Sequence, residues 1–201
     1  MRWQVAQRVG NWRNRLSPAK RRVYDRSDAV TAIPLRPGLG LLEAVRGLQH
    51  ALGSANQSHV AQFSQRIADG ICTSLGVPGL KVLVRGRRPS SSKGELHGLY
   101  MPGEHSRRDT VKLWMITAKR GQVVAFRTFL RTLVHELCHH LDYTLLGLPD
   151  SYHTGGFYVR ESGMVRSLTD GQGFEQSSGE TVARGGRTGS RLPTGQPGSR
   201  Q

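Results

Sequence analysis

A regular pattern of apolar positions covers residues 123–148. Large apolar side chains recur there at the three- and four-residue spacing of an α-helix, at Val123, Phe126, Leu130, Leu133, Val134, Leu137, Leu141, Leu145 and Leu148. On a helical wheel these side chains centre on one face, and His135 and His139 lie on nearly the opposite face. Gly147, in the left-handed conformation, and Pro149 are expected to end the helix. The pattern predicts a helix that packs one face on a core and presents two histidines to a cleft.

The remaining apolar patterns predict a mixed fold. Residues 41–75 have helical periodicity and should form one long helix, or two shorter ones divided at Gly53-Ser54. Alternating apolar residues predict three short strands, at residues 80–84, 96–101 and 110–117. Residues 85–94 should form a mobile loop. The predicted fold class is therefore α+β, with an N-terminal helix, a three-stranded sheet, the histidine-bearing helix, and a turn and helix after it.

The chain divides by composition into three parts. Residues 1–40 form a basic N-terminal arm and a linker with two prolines, and residues 41–168 form the predicted domain. Residues 169–201 contain few large apolar side chains, so burial cannot offset the entropy of ordering them, and we expect a disordered tail. Within the arm, one helical face would carry the apolar residues Val5, Val9, Trp12 and Leu16.

The charge balance suggests a polyanionic partner. The chain has 29 Lys and Arg against 14 Asp and Glu, a formal charge of +15. Such a balance favours contact with DNA or RNA, most directly through the arm. An arginine-rich codon usage is an alternative explanation of the same charge. The composition of the arm is also that of an organelle-targeting helix, or of a gene start assigned too far upstream.

Cysteine usage and hydropathy bear on the compartment. Cys72 and Cys138 are the two cysteines of the chain, too few for a disulfide framework. The sequence has no continuous apolar run that would form a secretory signal or a membrane span. We therefore expect a cytoplasmic protein. The sequence does not define an oligomeric state.

The run His135-Glu136-Leu137-Cys138-His139 has the H-E-x-x-H pattern of zinc hydrolases. Each helical residue advances about 100°, so His135 and His139 lie only about 40° apart, one turn above the other. Both imidazoles can therefore bind one metal ion. Glu136 lies about 60° from His139 on the wheel, too far round the helix to be required as a ligand. It is still close enough to accept a proton from a metal-bound water.

A catalytic zinc normally has three protein ligands and one open position. His153 follows a turn that lets the chain reverse and return to the metal, and it lies beside Gly155 and Gly156. Glu161 is the rival ligand, in an arrangement like that of thermolysin. The metzincin pattern is excluded because the residue at position 145 is Leu145. We favour His153.

These residues resemble those of the SprT-like (Spartan-type) zinc metallopeptidases. The likeness covers roughly residues 41–168 and includes the first motif and a second, His153-Thr154-Gly155-Gly156-Phe157, where the family has an H-G-x-x-F-like motif. Thr154 stands where the family usually has glycine. The resemblance implies a minimal zincin-like domain, a zinc ion, and a His as the third ligand.

The predicted activity is zinc-dependent hydrolysis of peptide bonds, with Glu136 as general base. The substrate would be a protein or peptide, and nucleic-acid-associated protein is one candidate. The predicted strand at residues 110–117 would be an edge strand that aligns the substrate. Candidate donors to the tetrahedral intermediate are Tyr152, Tyr158 and Arg160.

Three further predictions concern neighbours of the motif. Asp142 either orients a ligand imidazole or is an exposed helix charge, His140 is not a ligand, and Cys138 is a small core residue. Two alternative functions remain. One is a nucleic-acid-binding protein with a structural zinc site, and the other, weaker one is a metallopeptidase of a mobile element.

Overall fold

The computed structural model describes residues 12–92, 94–104 and 107–170. Within these ranges the fold is mixed α+β, as predicted, with five helices, a three-stranded sheet and a two-stranded hairpin. The helices are α1 (Pro18–Ala29), α2 (Leu39–Gly53), α3 (Gln57–Leu75), α4 (Phe126–Thr144) and α5 (Gly155–Thr169). None of the described helices combines the length and the hydropathy needed to cross a membrane.

The sheet contains the three predicted strands in a mixed arrangement. Its strands are β1 (Lys81–Arg87), β4 (Gly98–Met101) and β5 (Thr110–Ile116), in the order β1-β5-β4. Strand β5 is parallel to β1 and antiparallel to β4. A separate hairpin of β2 (Ser90–Ser91) and β3 (Gly94–Glu95) lies where the sequence predicted a mobile loop.

The prediction that residues 110–117 form an edge strand is wrong. Strand β5 is the central strand and pairs on both sides. The physical reason is that Val111, Leu113 and Met115 on one face and Trp114 on the other are all buried, and a strand covered on both faces takes an interior place. Strand β4, which is partly exposed, is the edge strand beside it.

The periodic segment 41–75 forms two helices, one of the two predicted outcomes. Helix α2 ends at Gly53, and Ala55 has a positive φ of 54° in the connection. Asn56 then caps α3, with its side chain accepting a hydrogen bond from the His59 backbone. Gly76 ends α3 in the left-handed conformation, with φ 66°.

Helix α4 packs its apolar face on the sheet and on the helices, as predicted. The exposed fractions of its core side chains are 0–1%, at Phe129, Leu130, Leu133, Val134, Leu137 and Leu141. The helix ends three residues before Gly147, whose φ of +58° is the left-handed value predicted for it. The opposite face is thereby fixed toward the open side of the domain.

Helix α1 is packed against α5 and is part of the folded unit. Ser27 is fully buried, and the Asp28 carboxylate accepts a hydrogen bond of 2.8 Å from the Gly156 backbone. A Cβ at Gly156 would lie 2.1 Å from the Asp28 carbonyl oxygen, so glycine permits this contact. Residues before position 41 therefore contribute to the packing of α5. Val5, Val9 and the tail after Asp170 lie outside the described residues.

Candidate metal centre

Three histidine side chains converge on one point beside α4. His135 and His139 lie one turn apart on this helix, and His153 lies in the segment before α5. The Nε2 atom of His153 is 3.0 Å from Nε2 of His135 and 3.0 Å from Nε2 of His139. The structure thus brings together the three residues that the sequence predicted as ligands, and this group can hold a metal ion.

Hydrogen bonds on the far sides of the rings suit metal binding. Nδ1 of His135 is 2.9 Å from Oε2 of Glu161, a carboxylate that can only accept, so Nδ1 carries the proton. Nδ1 of His139 is 2.7 Å from Oγ of Ser151. Both Nε2 atoms can then present lone pairs to the centre. Around a tetrahedral zinc with Zn–N of about 2.05 Å, neighbouring ligand nitrogens lie roughly 3.3 Å apart. The two distances from Nε2 of His153, each 3.0 Å, are close to this value.

Burial favours the neutral form of two imidazoles in the group, those of His139 and His153. Burial, together with the nearby His135 and His153, lowers the pKa of His139 to about 3. Burial and His135 also lower the pKa of His153, although Glu161 opposes the shift. Because a metal binds the neutral imidazole, protons compete weakly for these nitrogens at neutral pH.

Glu161, the rival ligand, lies behind His135 rather than inside the histidine group. Its carboxylate is 2% exposed and accepts from Nη1 of Arg131 at 2.7 Å through one oxygen. The other oxygen accepts from Nδ1 of His135. Glu161 therefore orients the His135 ring, as a carboxylate commonly does behind a metal-binding histidine.

A second series of hydrogen bonds holds the His139 ring. One of its members, Asp142, was identified from the sequence, but Ser151 was not. Ser151 Oγ donates to Oδ2 of Asp142 at 2.6 Å, so its lone pairs are free to accept from His139. Asp142 is fully buried, so the exposed-charge interpretation is wrong and it acts through Ser151. Ser151 was not recognised because a single serine in a loop has no distinctive spacing.

Arg160 supports this chain from the other side. Its side chain is 1% exposed, and Nη2 contacts Oδ1 of Asp142 at 2.5 Å. Its Nη1 donates to the carbonyl oxygens of Ser27 and Val30 at the end of α1, at 2.9 and 3.0 Å. Arg160 was predicted as a possible donor to the reaction intermediate. Its burial and these contacts direct it away from the cleft.

Glu136 lies against the edge strand. It is 7% exposed, and burial raises the pKa of its carboxyl group, while His135 and a hydrogen bond from the Tyr100 backbone oppose the shift. A Cβ at Gly98 would lie 2.5 Å from Oε1 of Glu136 and 2.8 Å from Cγ2 of Thr132. The absence of a side chain at Gly98 therefore leaves room for the Glu136 carboxylate. A glycine inside a strand pattern is the signal that could have identified it.

A cleft opens in front of Glu136 and His135. It has a volume of about 450 Å³ and is also lined by His97, Gly98 and Tyr158. The Tyr158 ring is 39% exposed and stacks on His153 with ring centres 5.8 Å apart. His97 received no role from the sequence, since its spacing to the motif is irregular.

The other aromatic residue predicted as a donor to the intermediate, Tyr152, is not among the residues that line the cleft. Tyr152 is buried and packs on Trp12 and Tyr24, with ring centres 5.3 and 6.0 Å away. Of the three predicted donors to the intermediate, Tyr158 is therefore the one that lines the cleft.

Phe157 and Thr154 fix the turn that carries His153. The Phe157 ring is buried, with its centre 5.0, 4.9 and 5.2 Å from the rings of the histidine group. Thr154 caps α5, and its hydroxyl accepts from the Phe157 backbone at 3.0 Å. A threonine at position 154 is therefore compatible with the turn.

Two neighbours of the motif have structural roles. His140 is buried, with Nδ1 2.8 Å from Oδ2 of Asp109 and Nε2 2.8 Å from the Pro78 carbonyl oxygen. Cys138 is buried against Met164, and burial raises the pKa of its thiol. Neither residue belongs to the histidine group, in agreement with the sequence analysis.

Comparisons with protein-family models, with curated proteins and with solved structures found no match for this chain. A functional assignment therefore depends on the geometry of the site.

Proposed function

We propose that this protein is a zinc-dependent metallopeptidase with a minimal zincin-like domain, similar to the SprT-like family, that hydrolyses peptide bonds. The observation that carries the proposal is a group of three histidines, one of which, His135, lines an open cleft together with the buried Glu136. The mixed sheet supports it as well, since its antiparallel edge strand runs past the glutamate, where a peptide can pair with it.

His135, His139 and His153 would hold the zinc ion. Three neutral imidazoles are a donor set typical of catalytic zinc. When bound there, zinc would supply Lewis-acid chemistry, polarising a carbonyl group and lowering the pKa of a bound water to about 7. Within the described residues, the group that can hold a metal has three members, and His153 is exposed on its open side.

Glu136 supplies the proton transfers. Its carboxylate accepts a proton from the attacking water and passes it to the leaving amine nitrogen as the carbon–nitrogen bond breaks. Burial raises its pKa, which makes the carboxylate a stronger base. Gly98 leaves room for this carboxylate at the cleft wall.

Strand β4 and Tyr158 bind and orient the substrate. An extended peptide can add to β4 on the side that is not paired with β5, through main-chain hydrogen bonds, which would align its scissile bond with the cleft. The Tyr158 hydroxyl then donates a hydrogen bond to the carbonyl oxygen as negative charge develops on it. Its position over His153 supports this role.

The competing function is a nucleic-acid-binding protein with a structural zinc site. A structural site normally has four protein ligands, and it has no use for a buried carboxylate in the adjoining cleft. The three-membered group and Glu136 both favour hydrolysis. The charge of +15 leaves nucleic acid as a proposed partner rather than as the function.

The test is metal analysis of the purified full-length protein with hydrolysis assays on casein. Glu136→Gln should keep its zinc and lose hydrolysis by at least about a hundredfold, the usual scale for a general base. Glu43→Gln, at an exposed position of α2, is the matched control and should keep full activity. Equal casein hydrolysis by wild type and Glu136→Gln would refute the proposed mechanism.

A further inference from the structure

A second groove runs between the N-terminal half of α4 and the C-terminal half of α5. Its volume is about 550 Å³. Three arginines line it, together with an apolar floor and one acid: Arg127, Arg131, Arg166, Leu130, Val165 and Asp170. The groove is therefore a basic surface on an apolar base, separate from the histidine group.

The charges of this groove are largely uncompensated. Arg127 and Arg166 are exposed, and neither forms an ion pair with another described residue. Arg131 uses its Nη1 atom for Glu161 and Ser162, which leaves Nη2 and Nε for another acceptor. With Asp170 as the one acid in the lining, the arginines are in excess. Arg127 also lies in the first turn of α4, where the helix dipole adds positive potential.

The groove joins the catalytic cleft at Arg131, which lines both. Arg127, Arg131 and His135 follow one another at four-residue spacing along one side of α4. Arg127 is eight residues before His135, which corresponds to a rise of about 12 Å along the helix. An extended peptide covers this distance with three or four residues, at about 3.3 Å each.

We infer that this groove binds acidic side chains of the peptide substrate and selects Asp or Glu three or four residues from the scissile bond. The inference rests on the proposed peptidase function. An acidic side chain fits both parts of the groove, because its carboxylate can pair with the guanidinium groups while its methylene groups lie on Leu130 and Val165.

A peptide explains the groove better than a nucleic acid does. Surfaces that bind single-stranded nucleic acid combine basic residues with aromatic side chains on which bases stack. No aromatic residue is among the described residues that line this groove. Its continuity with the cleft at Arg131 also makes it accessible to the same chain that occupies the cleft.

The experiment measures peptide binding and does not require hydrolysis. Its result therefore tests the groove even if the protein is not a peptidase. Fluorescein-labelled hexaglutamate and a labelled ten-nucleotide oligothymidylate are titrated with the full-length protein at low salt, and binding is followed by fluorescence anisotropy. The test variant is Arg127→Gln with Arg166→Gln. The matched control is Arg36→Gln with Arg46→Gln, which removes the same charge from exposed positions outside the groove.

The groove variant should bind hexaglutamate about fivefold to tenfold more weakly, because each exposed charge pair contributes modestly. The control variant should change binding by less than about twofold. An equal loss in both variants would overturn the inference, since it would reflect net charge alone. A loss of oligothymidylate binding in the groove variant, with hexaglutamate binding unchanged, would overturn it in favour of nucleic acid.

A second measurement tests the position of the acidic residue. Casein is digested with wild type and with the groove variant, and the cleaved bonds are mapped by mass spectrometry. Wild type should show enrichment of Asp or Glu three or four residues from the cleaved bond, and the variant should lose it. An even distribution in wild type would overturn the positional part. Absence of cleavage by wild type would count against the peptidase function and against selection of an acidic residue near the cleaved bond. Binding of acidic peptides in the groove is tested separately, by the titration.

Discussion

Nη2 of Arg160 lies 2.5 Å from Oδ1 of Asp142, and both side chains are almost completely buried. The other carboxylate oxygen of Asp142 accepts from Ser151, which holds the ring of His139. A charged pair in the interior is costly to desolvate, and this pair fixes the direction of the His139 ring through Ser151. The backbone of α1 completes the arrangement at Ser27.

The Ser151 hydroxyl should contribute to metal affinity. We expect Ser151→Ala to weaken zinc binding about tenfold to a hundredfold, because His139 loses the partner that fixes its ring and tautomer. Ser151→Thr keeps the hydroxyl and should restore most of the affinity. Ser74→Ala, at an exposed position of α3, is the control. Competitive chelator titration at fixed pH measures all three, and a normal affinity in Ser151→Ala would contradict the role of the hydroxyl.

Removing one member of the buried ion pair should destabilise the fold. Arg160→Met leaves the Asp142 carboxylate buried without its cation, at an expected cost of about 3–5 kcal/mol in the free energy of unfolding. The double variant Arg160→Met with Asp142→Asn should lose less than the sum of the single variants. Urea denaturation of the zinc-free proteins gives these energies. Strict additivity would show that the two residues do not act as a pair.

A side chain at Gly98 should impair the reaction without removing the metal. In Gly98→Ala the new methyl group would lie against Glu136 and Thr132, so the carboxylate must move from its place in the cleft. We expect kcat to fall by about tenfold or more while zinc remains bound, since small displacements of a reacting group are costly. Gly79→Ala is the control, because a Cβ there meets nothing within 4 Å. Unchanged kcat in Gly98→Ala would remove Gly98 from the site.

The sequence predicted those features that depend on local spacing. The apolar face of α4, the positions of His135 and His139, and the end of the helix near Gly147 all follow from periodicity and turn chemistry. The order of the strands did not follow, because pairing between distant segments leaves little trace in either strand. The roles of Gly98 and Ser151 depend on what folding brings beside them, which one sequence does not encode locally.

The basic arm is expected to bind DNA or RNA mainly through phosphate groups, so its binding should weaken steeply with salt. The contacts of α1 determine which N-terminal truncation leaves the fold intact. A chain that begins at Thr31 would lose Ser27 and Asp28 and their contacts to α5, whereas a chain that begins at Trp12 keeps them. Anisotropy with a duplex oligonucleotide at two salt concentrations compares the full chain with the chain from Trp12. Equal binding by both would show that residues 1–11 are not the contact.

The last prediction separates a metal ligand from the residue that orients one. His153→Ala should lower zinc affinity by orders of magnitude, because it removes one of the three converging nitrogens. Glu161→Ala should lower it by only about tenfold to a hundredfold, because the carboxylate acts through Nδ1 of His135. Glu161→Gln keeps an acceptor for that nitrogen and should recover part of the loss. Chelator titration at matched pH is required, since protons compete for imidazole. If zinc affinity stayed normal in His153→Ala and collapsed in Glu161→Ala, the carboxylate would be the third ligand and the site would be thermolysin-like.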